Sequence, residues 1–324
     1  MATPAETSAA ELSLLDVVRL CHNAEPQLDA SLHPFLVDSQ RLGYITPAVF
    51  AHLSQDIRTA SSPSPLRLVP AATTAAAPGS AQPEGVTFAE HCSTPEQRSA
   101  ALQTLAEKWR DAHTFPYPLD GWRNELYAVW GPGHTIAFRL ERAACALFGV
   151  ATFGVHLTAY TPDLRTWVPK RAATKPTWPS YLDNTVAGGI TAGDSQGESI
   201  IRECWEEAGF PEDLVRKYIK STGVITYVYK TKEGLIQPEI EYTYDLALPS
   251  ADILPRPVDG EAESFELMTF DQVMKLIRQA RFKPNCALVL IDFYIRHGLI
   301  TPENEPEYVE VVAKMHNALG LPMP

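Results

Sequence analysis

Apolar and polar positions alternate with a period of two in several stretches of this chain, as they do in strands. Phe35, Val37 and Leu42 lead into Gly43-Tyr44-Ile45, which is typical of a hairpin. The same alternation predicts further strands over 125–130, 135–140, 154–160 and 239–248. Because successive side chains of a strand point to opposite faces, the last run separates two tyrosines, Tyr242 and Tyr244, from a polar face of Glu239, Glu241 and Thr243.

Helical spacing occurs between these runs. Leu102, Leu105 and Trp109 recur at the helical period behind Thr94, a candidate cap, and predict a helix over 94–112. Helices are also predicted over 142–147, 267–277, 287–295 and 305–319. Helices that connect paired strands predict an α+β chain: an α/β/α sandwich with a mixed β-sheet, preceded by a smaller α+β domain.

The chain divides by composition. We expect a flexible amino terminus at 1–11, an α+β domain at 12–147, a second domain at 148–300 and a carboxy-terminal helix and tail at 301–324. Residues 60–85 are rich in Ala, Pro and Ser and almost uncharged. Such a segment has little apolar surface to offset the entropy of ordering the chain, so a disordered insertion is predicted there.

A glycine-rich turn at 188–193 leads into a helix predicted over 196–208. In that helix Glu203, Glu206 and Glu207 stand at i, i+3 and i+4 and project from one face. Like charges so close destabilise a helix unless a cation neutralises them, and Mg²⁺ prefers oxygen ligands. The turn also brings free backbone carbonyls near the helix start. A metal site is therefore predicted, with a solvated acidic face as the alternative.

The opposite face of this helix favours the metal site. It carries Ile200, Ile201, Cys204 and Ala208, which give the helix an apolar side for packing on a sheet. A packed helix holds its carboxylates in fixed positions.

The segment resembles the Nudix box, G-x5-E-x7-R-E-U-x-E-E-x-G-U, in which U is a bulky apolar residue. Gly188 matches the first glycine, and the remaining fixed positions are matched by Arg202, Glu203, Glu206, Glu207, Gly209 and Phe210. Asp194 stands where the family has its first glutamate, and Cys204 replaces the usual aliphatic residue. Because Asp194 is one methylene shorter, Glu198 is a candidate for its role, since it lies four residues before Arg202 and could orient that side chain.

The resemblance implies Mg²⁺- or Mn²⁺-dependent attack of water on a diphosphate. Glu206, Glu207 and the Gly188 carbonyl would be metal ligands. Glu203 would be a third ligand or the base that takes the water's proton. The catalytic set is thus Arg202, Glu203 and Glu206.

A second resemblance covers most of the chain. The stretches 141–149, 153–157, 167–171 and 181–189 look like the Nudix group related to fungal thiamine pyrophosphokinase, which has plastid relatives in plants and an extra amino-terminal domain. This resemblance implies oxidised or damaged thiamine diphosphate as the substrate and the monophosphate as the product. The alternatives are a hydrolase of ADP-ribose or dinucleotides, and a non-catalytic Nudix-like binding module. Isopentenyl diphosphate isomerisation would need a catalytic cysteine motif that is not evident.

Residues around the box provide candidates for substrate binding. Arg171 and Lys175 precede it and are expected to bind the diphosphate, with ordinary surface charge as the alternative. Trp178 is a candidate for stacking on a substrate ring, although core packing is the commoner role of such aromatics. In the acidic turn before a later strand, Glu261 and Glu263 are secondary candidates for the metal or the base.

Composition restricts the partners. The chain has 324 residues, 45% of them hydrophobic, and a formal net charge of −12 without a basic stripe, which argues against nucleic acid as a partner. The five cysteines are widely spaced, so neither a disulfide framework nor a zinc site is indicated. No secretory signal or membrane span is recognisable. We therefore expect a cytoplasmic enzyme of a small-molecule diphosphate, with no membrane partner.

Overall fold

The computed structural model describes residues 11–60, 62–70 and 84–324. The helices are α1 (Leu14–Cys21), α2 (Pro47–Thr59), α3 (Pro95–Asp111), α4 (Pro116–Leu119), α5 (Cys145–Phe148), α6 (Gln196–Ala208), α7 (Glu212–Tyr218), α8 (Phe270–Arg278), α9 (Pro284–Arg296) and α10 (Tyr308–Lys314). The strands are β1 (His33–Val37), β2 (Gln40–Ile45), β3 (Leu66–Val69), β4 (Gly85–Phe88), β5 (Leu126–Gly131), β6 (Thr135–Glu141), β7 (Thr152–Tyr160), β8 (Thr166–Arg171), β9 (Val186–Gly189), β10 (Ile219–Lys230), β11 (Ile236–Ala247) and β12 (Ala262–Met268).

The first half of the chain contains a four-stranded sheet and a separate hairpin. The sheet has the order β2-β1-β4-β3, and β1 and β2 form the predicted hairpin. β5 and β6 pair antiparallel beside it. Helix α3 begins as predicted at Thr94, whose side chain accepts a hydrogen bond from the Gln97 amide in a capping box. One apolar core that includes Phe35, Trp109 and Phe138 joins these elements.

The second half contains a mixed sheet of the order β10-β11-β7-β8-β12, with β9 also paired to β7. β7 and β11 run parallel and their neighbours antiparallel. Val155 and Leu157 of β7 face α6 on one side, whereas Gly154 and His156 must face the other side. On that other side α8, α9 and α10 form an apolar layer. This is the sandwich with a mixed sheet that the sequence predicted.

The first helix packs across the predicted domain division. α1 contacts α8, α9 and α10 and so lies in the helical layer of the second sheet, although its residues fall within the domain predicted at 12–147. Leu14, Val18 and Cys21 of its apolar face are all buried there. An amphipathic pattern shows that a helix needs a partner, but it does not say which sheet supplies that partner.

The predicted disordered insertion is wrong where the structure describes it. Leu66–Val69 forms β3 and pairs antiparallel with β4, and the side chain of Leu66 is buried in the first core. Residues 61 and 71–83 of the same prediction, and residues 1–10 of the predicted flexible terminus, lie outside the described residues. The strand was missed because the surrounding Ala, Pro and Ser dominate the composition of the window.

The last predicted helix is shorter than expected. The structure has it over Tyr308–Lys314 and not over 305–319. The chain after α10 instead packs on the body, where the backbone carbonyl of Leu319 accepts a hydrogen bond from the Tyr44 hydroxyl at 2.9 Å. Among the described residues, the helices are too short or too polar to cross a bilayer.

Candidate active site

The acidic helix predicted from the sequence is α6, and its ends and its apolar face hold it firmly. Ser195 caps the amino end by accepting a hydrogen bond from the Glu198 amide, and Gly209 ends the helix in the left-handed region at φ 66°. Ile200, Cys204 and Ala208 are fully buried against the sheet. The apolar side therefore packs as expected, and the carboxylates on the other faces are fixed relative to β9.

Two of the three carboxylates contact β9. The backbone amide of Ala187 donates a hydrogen bond of 2.9 Å to the Glu207 carboxylate. Glu203 lies against Gly188, where an added Cβ would come within 2.6 Å of the carboxylate oxygen Oε1. Gly188 is thus required for this close approach. Glu206 is half exposed on the same helix and reaches toward solvent.

Burial changes the acidity of these two groups. Burial raises the pKa of Glu203 to about 7, and the neighbouring charges of Glu206 and Glu261 add to this effect while Arg202 opposes it. Burial likewise raises the pKa of Glu207 well above its ordinary value, against the hydrogen bond from Ala187. The protein alone therefore offsets little of the negative charge that these two carboxylates carry when they are ionised.

Arg202 is oriented by Asp194. The guanidinium group lies 2.6 Å from Asp194, 3.6 Å from Glu203 and 3.9 Å from Glu206. The shorter acidic residue therefore reaches the arginine, because it lies in the turn before the helix. The prediction that Glu198 orients Arg202 is wrong: Glu198 instead pairs with Arg216 of α7 at 2.8 Å.

The donor set fits a hard divalent cation. Within 11–60, 62–70 and 84–324, no three acidic, His or Cys side chains already converge on one point, so the three glutamates are neighbours rather than a closed cage. Glu207 accepts one hydrogen bond, from Ala187, among the described residues. Its other oxygen and the Glu203 carboxylate are the oxygen donors that Mg²⁺ or Mn²⁺ would take, and their burial without an equivalent positive charge favours such a cation.

The two secondary acidic candidates separate in the structure. Glu261 lies close enough to influence both Glu203 and Glu207, and it pairs with Lys175 at 2.6 Å. Glu263 points elsewhere, pairing with Lys170 at 2.8 Å and accepting a hydrogen bond from the Ala173 amide. Only Glu261 is therefore placed near the acidic helix.

Arg171 does not offer a free guanidinium group to a diphosphate, contrary to the sequence-based expectation. Its Nη1 pairs with Asp183, while Nε and Nη2 donate to the backbone carbonyls of Trp178 and Thr177, each at 3.0 Å. The side chain is only 11% exposed. Arg171 thus fastens the loop that follows β8. Lys175 is also paired, with Glu261, so both predicted phosphate ligands already have carboxylate partners.

A cavity of about 810 Å³ opens beside β9, between the first and second halves of the chain. Its wall includes Gly188 and Gly189 on one side, next to the acidic helix. Trp178, predicted to stack on a substrate ring, also lines it and meets Tyr181 edge to face. This volume lies within the range of sites for drug-sized ligands, about 300–1,000 Å³.

Several residues of the cavity were not found from the sequence. Lys283, at the start of α9, has no ion pair among the described residues, and the exposed Arg123 comes from the first half of the chain. Tyr127 also comes from the first half, and its hydroxyl fills the space where Gly189 has no side chain. No local motif marks these positions, because only the folded chain brings residues so distant in sequence together.

Comparisons with known proteins assign both halves of the chain to described families. A family model described as a NUDIX domain matches residues 152–287, and one described as a domain of unknown function, DUF4743, matches residues 13–152. Nudix hydrolase 20, chloroplastic, of Arabidopsis thaliana is 32% identical over 96% of this chain and 81% of its own length. The uncharacterized protein YJR142W of Saccharomyces cerevisiae is 43% identical over 62% of this chain and 63% of its own length.

Among solved structures, the crystal structure of DR0079 from Deinococcus radiodurans is similar, with a TM-score of 0.38 and 17% identity over 51% of this chain and 97% of that chain. The chain spans less than two thirds of the yeast relative and about four fifths of the Arabidopsis relative.

Proposed function

The chain belongs to the Nudix hydrolases, and on this premise we propose that it is a divalent-metal-dependent pyrophosphohydrolase that converts oxidised or damaged thiamine diphosphate to the monophosphate. The observation that carries the proposal is the position of α6. Its carboxylates Glu203 and Glu207 lie against β9, the strand that forms one wall of the cavity. Among the described residues the three glutamates do not themselves line the cavity, but Gly188 does and it lies against Glu203, so a diphosphate would reach the metal ligands past the edge of β9 at Gly188.

The residues of this face have distinct roles in the proposed reaction. Glu203, Glu206 and Glu207 would hold Mg²⁺ or Mn²⁺, which supplies Lewis-acid activation of the phosphoryl oxygens and offsets the developing negative charge. Arg202, fixed by Asp194, keeps the Glu203 carboxylate oriented toward β9. In the alternative arrangement Glu206 and Glu207 would hold the cation, and Glu203, whose pKa burial raises to about 7, would accept a proton from the attacking water.

Two cationic side chains of the cavity replace the predicted phosphate ligands. Lys283 and Arg123 line the cavity from opposite halves of the chain, and neither has an ion pair among the described residues. Burial lowers the pKa of Lys283, but the nearby Cys286 and Asp183 outweigh that effect, so the net shift is upward and the ammonium form is retained. Such a group binds phosphate by charge-assisted hydrogen bonds.

The support for a thiamine-type substrate is the resemblance of the chain to the thiamine-related group, together with aromatic residues in the cavity wall. Tyr117, Tyr127, Trp178 and Tyr181 line it, which suits a planar ring. A volume of about 810 Å³ also accommodates a ligand of two rings and a diphosphate.

Phosphate-release kinetics test this proposal. With Mg²⁺ present, we expect kcat/KM for an oxidised thiamine diphosphate to exceed that for ADP-ribose. Lys283→Gln should lower kcat/KM about a hundredfold, because it removes a charge-assisted phosphate contact. The matched control is Lys220→Gln, which removes an exposed charge from β10 and should change little. A preference for ADP-ribose would contradict the thiamine assignment but not diphosphate hydrolysis, and an unchanged Lys283→Gln would contradict the phosphate-binding role.

A further inference from the structure

A pair of carboxyl groups lies at the inner end of the cavity, away from α6. Glu239 and Glu241 lie on the same face of β11, as the strand alternation predicted, and both line the cavity. Tyr227 lies opposite Glu239 on β10, and its hydroxyl contacts both carboxyl groups, with 2.7 Å to Glu241. A phenol has one hydrogen to donate, so one of the two carboxyl groups holds a proton and donates it to the phenol oxygen.

Glu241 has a full set of partners. It accepts hydrogen bonds from Tyr227 and, at 3.1 Å, from Asn285, and its second oxygen lies 3.3 Å from His156 Nε2. His156 Nδ1 lies 2.7 Å from Asn184 Oδ1, and the amide nitrogen of Asn184 donates to the Cys286 carbonyl. The asparagine oxygen must therefore face the imidazole, so Nδ1 carries a hydrogen and the ring pairs with Glu241 as an imidazolium.

The pKa values agree with this assignment. Burial alone would raise the pKa of Glu241, but His156 outweighs it and holds the pKa at about 2. The pKa of His156 lies well above its ordinary range, because Glu241 outweighs the effect of burial. Burial and the adjacent Glu241 raise the pKa of Glu239 to about 7.

Of the two carboxyl groups, Glu239 is the one with an oxygen atom that has no hydrogen-bond partner among the described residues. Its Oε2 contacts Tyr227, whereas its Oε1 accepts no hydrogen bond from the described residues. A carboxyl oxygen that faces a cavity without a hydrogen bond from the protein is available to a ligand or to water. Glu239 is therefore the acceptor that this end of the cavity offers to a ligand.

Three adjacent strands relate this acceptor to β9, the edge strand against which the acidic helix lies. Gly189 of β9, Gly154 of β7 and Glu241 of β11 are direct neighbours in register. Two strand spacings separate β9 from β11, roughly 10 Å. Gly154 and Gly189 have no side chains, so they do not project into the cavity from this face of the sheet. An extended ligand with its diphosphate at β9 would therefore place its organic group near Glu239.

We propose that Glu239 recognises an N–H edge on a planar heterocycle in the organic group of the substrate. This inference rests on the proposed function, because it takes the diphosphate to lie at the acidic helix. Tyr117, Tyr127 and Tyr229 line the cavity and provide faces for stacking such a ring. The N–H would supply the hydrogen bond that Oε1 lacks.

The surrounding charges favour an N–H donor over a free cation or an alkyl group. The Glu241 carboxylate is paired with the His156 imidazolium, and Glu239 and Tyr227 share the remaining proton, so the inner end has little net negative charge with which to attract a cation. An alkyl group would cover Glu239 without pairing with it, which leaves a buried acceptor unsatisfied.

Calorimetric binding of oxythiamine in buffer with EDTA tests the inference without the metal or the diphosphate. Oxythiamine carries a ring N–H and no phosphate. We expect Glu239→Met, which removes the acceptor at similar length, to weaken binding at least tenfold, and Glu239→Gln, which keeps an acceptor oxygen, to weaken it less. The control Glu266→Gln removes an exposed charge from β12, away from the residues that line the cavity, and should change binding less than twofold.

Unchanged oxythiamine binding in a folded Glu239→Met protein would overturn the inference. An equal loss in Glu266→Gln would overturn it as well, because the overall charge and not a hydrogen bond at Glu239 would then be responsible. If Glu239→Met does not fold, as judged by its melting curve, binding of oxythiamine to the wild type is compared with binding of an analogue methylated at the ring N–H, and equal affinity for the two ligands would overturn the inference. Metal-dependent phosphate release is measured separately, so a failure of the proposed hydrolysis is recognised independently of heterocycle binding.

Discussion

At the scale of single residues, Arg171 and Lys283 are two cations near Asp183 and the cavity that differ in their direct contacts. Arg171 is held by Asp183 and two backbone carbonyls, whereas Lys283 lines the cavity without an ion pair among the described residues. Asp183 is 7% exposed and also accepts a hydrogen bond from the Cys286 thiol. The charge of Arg171 is thus used to fasten a loop, and that of Lys283 remains available to a ligand.

Arg171→Ala should therefore lower stability more than it lowers phosphate binding. Removing the guanidinium group leaves the buried Asp183 without its ion-pair partner, which costs about 3 kcal/mol in the free energy of unfolding. Urea unfolding of the variant and the wild type measures this difference. An unchanged stability with a hundredfold loss in kcat/KM would mean that Arg171 binds the diphosphate after all.

The difference in unfolding free energy between the wild type and Arg171→Ala should depend on pH. Burial raises the pKa of Asp183, but Lys283 and Arg171 outweigh it, so the folded-state pKa lies below the ordinary value. The contribution of the pair is then fully present above the unfolded-state value of about 3.9 and is lost as pH falls through the lower folded-state pKa. The difference in unfolding free energy between the wild type and Arg171→Ala should become smaller below about pH 4. A difference that becomes larger there would contradict this account.

Residue roles could be predicted from the sequence where a local motif fixes them. The helix period alone places Glu203, Glu206 and Glu207 on one side of α6, as the structure shows. The partner of Arg202 could not be predicted, because two acidic residues were within reach and the conformation of the turn favours Asp194. The partners of Arg171 depend on a loop whose path has no periodic pattern.

At the scale of elements, α1 is the clearest case of long-range packing. It begins at a Ser13 capping box and presents Leu14, Leu15 and Val18 to the helical layer of the second sheet. It is followed in the chain by strands of the first sheet. Helix α1 thus precedes the first sheet in the chain but packs on the helical layer of the second sheet, and in this way it links the two halves.

Leu14→Ala should destabilise the protein by about 2–5 kcal/mol, because it leaves a cavity in the layer formed by α1, α8 and α9. Leu20→Ala on the same helix is the matched control, since Leu20 is 41% exposed and its truncation should cost less than about 0.5 kcal/mol. Thermal and urea melts of both variants measure the contrast. Equal effects of the two substitutions would mean that α1 is not packed as described.

Elements with a strong period were predicted well, and those defined by a distant partner were not. The β1–β2 hairpin, α3, α6 and β11 follow from alternation, capping and helix period. β3 is only four residues long, and its pairing with β4 spans the segment 71–83, so nothing local distinguishes it from its surroundings. The short α10 ends where the following segment begins to pack against the first half of the chain near Tyr44, and composition does not predict this contact.

At the scale of the whole molecule, the cavity lies between the two halves of the chain, and its wall needs both. The first half supplies Tyr117, Arg123 and Tyr127, and the second supplies β9 and the polar face of β11. Tyr127 and Gly189 meet across this boundary. The extra amino-terminal domain is therefore part of the substrate site in this account.

Gly189→Ala should disturb that boundary. A methyl group there would lie 2.8 Å from the Tyr127 ring carbon Cζ, so either the tyrosine or β9 must move. We expect kcat/KM to fall at least tenfold and the melting temperature to drop. Gly197→Ala is the control, because a Cβ at Gly197 meets nothing within 4 Å and alanine favours the helix by up to about 1 kcal/mol. Normal activity of Gly189→Ala would show that the close contact between Tyr127 and β9 is not needed for turnover.

The central claim is that α6 supports metal-dependent hydrolysis of a diphosphate, and Glu207→Gln tests it most directly. The amide retains an acceptor for the Ala187 amide but cannot supply the charge of a metal ligand. The measurement is phosphate release from an oxidised thiamine diphosphate across a Mg²⁺ titration, with melting curves in EDTA as the check on folding. We predict a loss in kcat of at least a hundredfold, about 3 kcal/mol, and an unchanged or higher melting temperature in EDTA. Near-normal turnover of the folded variant at saturating Mg²⁺ would contradict the account.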